Sequence, residues 1–179
     1  MEFNAAFIME LLEDLELEKL KEENRAIVHN RIGILYGDFF GEYEQALFHF
    51  NQALEINEKI DNIKGVSASL HQIGIIYQYK GDYDAALTQY QKSMEIDEKI
   101  GDIAGVARTM AQIGTLYFNQ NKFETALELF IQAFLVFAKI GSPYANQARK
   151  DIARVREKLP QEQFNAILNE FNLNPEAVS

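Results

Sequence analysis

Three stretches of the chain repeat one order of apolar and polar positions: RIGILYGDFFGEYEQALFHFNQALEINEKID from Arg31, QIGIIYQYKGDYDAALTQYQKSMEIDEKIG from Gln72 and QIGTLYFNQNKFETALELFIQAFLVFAKIG from Gln112. The spacing is 41 and then 40 residues, the extra position lying between Tyr36 and Gly41. Apolar and small residues recur at intervals of three, four and seven, which predicts two helices in each copy. The first carries Ile32, Gly33 and Tyr36, then Ile73, Gly74 and Tyr77, then Ile113, Gly114 and Tyr117. The second carries Ala46, Phe50, Ala53 and Ile56; Ala86, Tyr90, Ser93 and Ile96; Ala126, Phe130, Ala133 and Phe137. Between them Gly41, Gly81 and Asn121 stand where a helix closes on a left-handed residue.

A glycine inside a helix costs about 1 kcal/mol relative to alanine. The expected compensation is packing: Gly33, Gly74 and Gly114 each face the alanine twelve or thirteen residues later, so the two helices approach with no side chain between them.

This pattern resembles the tetratricopeptide repeat. The resemblance rests on the small residue and following aromatic of the first helix, the Gly-Asp-Tyr type of turn, and the Ala, aromatic and small residues of the second. It covers roughly Ala26 to Ile140. The common form has about 34 residues and a closing proline. Here Glu58, Glu98 and Ala138 take that place and the helix runs on to Ile60, Ile100 and Ile140, which is more similar to the repeats of kinesin light chains, spindle-orientation adaptors and bacterial peptide-sensing regulators. The resemblance implies an all-α, right-handed α-solenoid of helix-turn-helix repeats with about nine helices.

The flanks complete it. Ala5, Met9, Leu12 and Leu15 fall on second-helix core positions, so residues 4–17 are expected to form an N-terminal capping helix. Repeats are expected at 20–61, 62–101 and 102–141, capping helices at 142–171 and a frayed tail at 172–179, all in one domain of residues 1–179. All three prolines, Pro143, Pro160 and Pro175, come after the repeats.

About 100° of rotation per residue leaves one stripe of each first helix facing away from the packed glycine and tyrosine. It holds Ile27, Arg31, Ile34 and Asp38; Ala68, Gln72, Ile75 and Tyr79; Arg108, Gln112, Thr115 and Asn119, with Asn30 and His71 beside it. The resemblance implies that this face lines a concave groove that holds a peptide. An asparagine after the repeat glycine and groove lysines, the marks of chaperone-tail clamps, are replaced by Ile34, Ile75 and Thr115 with no lysine on the stripe. In the third repeat Leu129, Ile131, Leu135 and Phe137 replace residues polar in its predecessors. They are expected to lie under the C-terminal helices or, alternatively, to form a self-association face.

A formal charge of −10 argues against nucleic acid or an acidic membrane as partner. No cysteine is present, and no apolar run approaches the roughly 20 residues of a membrane span, so a soluble, cytoplasmic protein is expected. His29, His49 and His71 do not have ligand spacing, no phosphate loop follows a strand, and no nucleophile motif occurs. No metal, cofactor or catalytic residue is expected. Tyr36, Tyr77, Tyr117, Phe50, Tyr90 and Phe130 read as core rather than as a platform for bases. The expected function is a non-enzymatic adaptor that binds a partner's peptide or helix, the protein being a monomer or homodimer. The alternatives are an oligomerisation scaffold and a regulatory subunit that senses a peptide.

Overall fold

The acidic Glu22 and Glu23 open the first helix, where they complement the positive end of its dipole. The structure, a computed structural model, describes residues 20–175. Among them are eight α-helices and one π-helical turn, with no strand. They are α1 (Glu22–Ile34), continued by the π turn Leu35–Phe40, α2 (Tyr43–Lys59), α3 (Ile63–Tyr79), α4 (Tyr83–Ile100), α5 (Ile103–Asn119), α6 (Phe123–Lys139), α7 (Tyr144–Arg156) and α8 (Gln161–Glu170). The expected capping helix 4–17 lies outside the described residues. Two compact units, Met1–Ile96 and Asp97–Ser179, divide the chain within α4.

The turns carry one chemistry. Gly41, Gly81 and Asn121 have φ of 67°, 78° and 59°, and the N–H groups of Glu42, Asp82 and Lys122 donate to the carbonyls of Tyr36, Tyr77 and Tyr117, each at 2.9 Å. The same closing bond therefore spans one more residue in the first repeat. That inserted residue is absorbed by the π turn, whose wider coil accommodates it without disturbing either helix.

In the N-terminal unit Ile32, Tyr36, Ala46, Phe50, Ile73 and Ile76 form the core. The nearest atoms to the repeat glycines belong to the aromatic ring one turn beyond the alanine expected from sequence. A Cβ on Gly33 would stand 2.7 Å from the Phe50 ring, and one on Gly74 would stand 2.6 Å from the Tyr90 ring. In the C-terminal unit one on Gly114 would meet the Phe130 ring at 2.8 Å. A long side chain on a helix leans over the turn preceding its own Cα, so the aromatic, one turn after the alanine, covers the glycine.

A second glycine position joins successive repeats. Asn62 caps α3 by accepting from the Gly65 N–H at 3.2 Å, and Asp102 caps α5 by accepting from Gly105 at 2.9 Å. A Cβ on Gly65 would fall 2.3 Å from Asn57 Oδ1, and one on Gly105 the same distance from Asp97 Oδ2. Buried polar side chains at the end of the second helices thus fill the space those glycines leave.

In the C-terminal unit α6 is apolar around most of its circumference. Leu127, Ile131, Phe134 and Phe137 join Ile152 and Val155 of α7 and Phe164 and Leu168 of α8 in one core. Of the four residues singled out in the third repeat, Ile131 and Phe137 are buried here, Leu129 is half-buried, and Leu135 is 37% exposed.

Candidate peptide-binding faces of the first helices

The two units each carry part of the predicted stripe. In the N-terminal unit Ile27, Arg31 and Asp38 on the α1 segment are exposed, as are Ala68 and Tyr79 on α3, while Asn30, Ile34, Gln72 and Ile75 are half-buried. The Asn30 amide donates to Ser69 Oγ at 3.5 Å, which ties the two helices together beside the stripe. Tyr79, 51% exposed, lies with its ring 5.9 Å from that of Tyr43. Desolvation and then the Asp38 carboxylate raise its phenol pKa, so the hydroxyl is a donor at neutral pH. His71 is placed differently from the rest: it is 5% exposed and packs on the Tyr90 ring at 5.6 Å, away from solvent. The hydroxyl of Tyr90 donates to Gln78 Oε1 at 2.9 Å.

In the C-terminal unit the α5 stripe has Arg108, Gln112 and Thr115 half-buried and Asn119 exposed. The Thr115 hydroxyl donates to its own helix at Ala111 O, 3.0 Å away, which leaves Gln112 and Asn119 as the outward amides. An exposed apolar contact, a free amide and a nearby cation are the elements that hold an extended or helical peptide.

Two features were not anticipated from sequence. His29 and His49 meet Nδ1 to Nδ1 at 3.0 Å, and the Tyr36 ring stacks on His49 at 5.6 Å with 9° between planes. Burial lowers the pKa of both rings, that of His49 to about 4, and Arg25 lowers that of His29 further. The signal was present in the register, since His29 takes the place held by Leu70 and Met110 in the later repeats. The second is a cation-π pair, Arg154 over Phe118 at 4.6 Å, linking α7 to α5. Among the described residues no three His, Asp or Glu side chains converge as a metal site, and no helix is long and apolar enough to cross a membrane.

Tetratricopeptide-repeat models match residues 17–60 and residues 65–139. This chain belongs to the tetratricopeptide repeat family. No curated protein is a sequence match to it. Among solved tetratricopeptide-like structures, the apo form of RapI superposes with a TM-score of 0.74 at 20% identity, covering 91% of this chain and 59% of its own. The Rap conjugation gene regulator of plasmid pLS20, in complex with a Phr peptide, gives 0.74 at 18% identity, covering 86% of this chain and 44% of its own. A putative kinesin light chain repeat protein of Podosopora anserina gives 0.64 at 19%, covering 91% and 86%. At these identities the likeness is one of fold. This tetratricopeptide-repeat chain spans 59% and 44% of the length of the two Rap proteins.

Proposed function

We propose that this tetratricopeptide-repeat chain is a non-enzymatic, cytoplasmic interaction module that holds a peptide or helix of a partner protein on its first-helix faces. The observation that carries this reading is the composition of the outward positions of the first helices, taken unit by unit. In the N-terminal unit Ile27 and Tyr79 are exposed anchors beside the half-buried amide of Gln72, and in the C-terminal unit α5 carries the half-buried amide of Gln112 and the exposed Asn119. Such a face suits main-chain hydrogen bonding by amides flanked by apolar contact. The plasmid regulator, a protein of the same fold, is in complex with a Phr peptide, which supports a peptide as the ligand class. By this reading the chain works alone or within a larger peptide-sensing regulator.

The test is co-purification from cells with wild-type protein and with the triple variant Gln72→Ala, Ile75→Asp and Arg108→Glu, helicity being checked by circular dichroism. Loss of the wild-type partners from a folded variant is expected. An unchanged set of partners would overturn the assignment.

A further inference from the structure

Although the chain carries a net charge of −10, residues 144–159 hold Arg149, Lys150, Arg154, Arg156 and Lys158 against only Asp151 and Glu157. Asp151 is also withdrawn from the surface: it is 7% exposed, accepts from Arg154 Nη1 at 3.2 Å, and receives the Gln147 amide at 3.3 Å on both oxygens. The solvent side of α7 is therefore more basic than its composition.

Arg154 is held in place on two sides. Its guanidinium lies over the Phe118 ring of α5 at 4.6 Å, and Asp151 fixes one edge, yet 51% of the side chain remains open to solvent. A planar fork held over a ring and by one ion pair has given up part of its rotamer freedom before any ligand arrives, so less ordering cost remains for binding a carboxylate. Lys150 stands one turn before Arg154, and Gln147 two turns before it, so the three share a helical face. Phe118, in the last turn of α5, ties this cationic face to the C-terminal end of that helix. Complementing the helix dipole accounts for basic residues in the last turn of α7. It does not account for Lys150 or for the placement of Arg154 over the Phe118 ring.

We propose that the α7 face, with the C-terminal end of α5, reads charge and takes a carboxylate-rich peptide, Arg154 being the fork, Lys150 a second cation and Asp151 a positioning residue. The proposal deepens the interaction-module reading and rests on it.

The test uses fluorescence anisotropy on the full chain with a fluorescein-labelled decamer of alternating glutamate and alanine. The same decamer with glutamine in place of glutamate is the neutral control, and a ten-nucleotide DNA strand is the competitor. The expected result is binding of the acidic decamer alone, weakening with salt. Arg154→Gln should lower the affinity about tenfold, and Arg154→Lys should restore only part of it. Asp151→Asn separates positioning from charge: it removes a negative charge, so simple attraction calls for tighter binding, whereas loss of the held fork calls for weaker binding at an unchanged melting temperature. Equal affinity for the neutral decamer, an Arg154→Gln variant that binds as wild type, or displacement by DNA at a lower concentration than unlabelled acidic decamer would overturn the proposal. If the acidic decamer fails to bind while the triple variant loses its cellular partners, this inference falls and the interaction-module reading stands.

Discussion

His29 and His49 share a buried contact of 3.0 Å between their Nδ1 atoms, twenty residues apart in sequence and on facing sides of the first helix pair. One neutral ring must donate there while the other accepts. Both folded pKa values lie below the unfolded value, that of His49 at about 4. As pH falls the unfolded chain takes up protons first, so the contribution is full above about pH 6.5 and is lost toward pH 4. The melting temperature should drop by several degrees between pH 7 and pH 5, on the order of 1–2 kcal/mol. His49→Leu, the residue of the third repeat at this position, should flatten that drop in thermal scans, and an equally steep slope in the variant would contradict the assignment.

Gly74→Ala is expected to destabilise, although alanine is the better helix former by about 1 kcal/mol. The new Cβ would stand 2.6 Å from the Tyr90 ring, which is fully buried. A net loss of about 1–2 kcal/mol is expected from overpacking. Urea titration of the single variant, of Tyr90→Leu and of the double variant should reveal strong non-additivity. Simple additivity would show that the ring is not what the glycine accommodates.

At the repeat junction Gly65→Ala would place a Cβ 2.3 Å from Asn57 Oδ1, which also accepts from Asn62 Nδ2 at 2.8 Å. A loss of about 2 kcal/mol is expected, since a buried amide must move and lose its partner. Shortening the obstacle with Asn57→Ser should recover part of that loss in the same denaturation measurement.

Phe164 of α8 is 1% exposed against the α6 core. Phe164→Ala should cost about 3–4 kcal/mol by leaving a cavity. Leu135→Asp, at an exposed site, should leave both stability and the mass measured by light scattering unchanged. A fall in mass on that substitution would show that Leu135 joins two copies.

Deleting Phe39, 75% exposed in the π turn, restores the 40-residue spacing of the later repeats. The melting temperature is expected to stay within a few degrees, with the Tyr36 carbonyl still closing the turn, and hydrogen exchange at Glu42 would report that bond.

Much of the fold is legible in the chain because its determinants are local. Gly41, Gly81 and Asn121 mark helix ends through their own backbone freedom, and the apolar positions of each helix follow from its period. The stripe from Ile27 to Asn119 was likewise accessible by rotation alone, and most of it is half-buried or exposed. His71 departed from it because a residue at the edge of a stripe turns inward or outward according to its neighbour, here the Tyr90 ring. The inserted residue could be counted in the sequence, but its form as a π turn depended on which hydrogen bond the chain kept.

Sequence alone determined that this protein is a series of paired helices of the tetratricopeptide type, since period, turn residues and repeat length are properties of neighbours along the chain. Tertiary structure decided which side chains meet: an aromatic ring against each repeat glycine, His29 against His49, and Arg154 over Phe118. Those contacts depend on how far a side chain leans and how one helix is rotated against the next, and both are settled only when the surfaces close on each other.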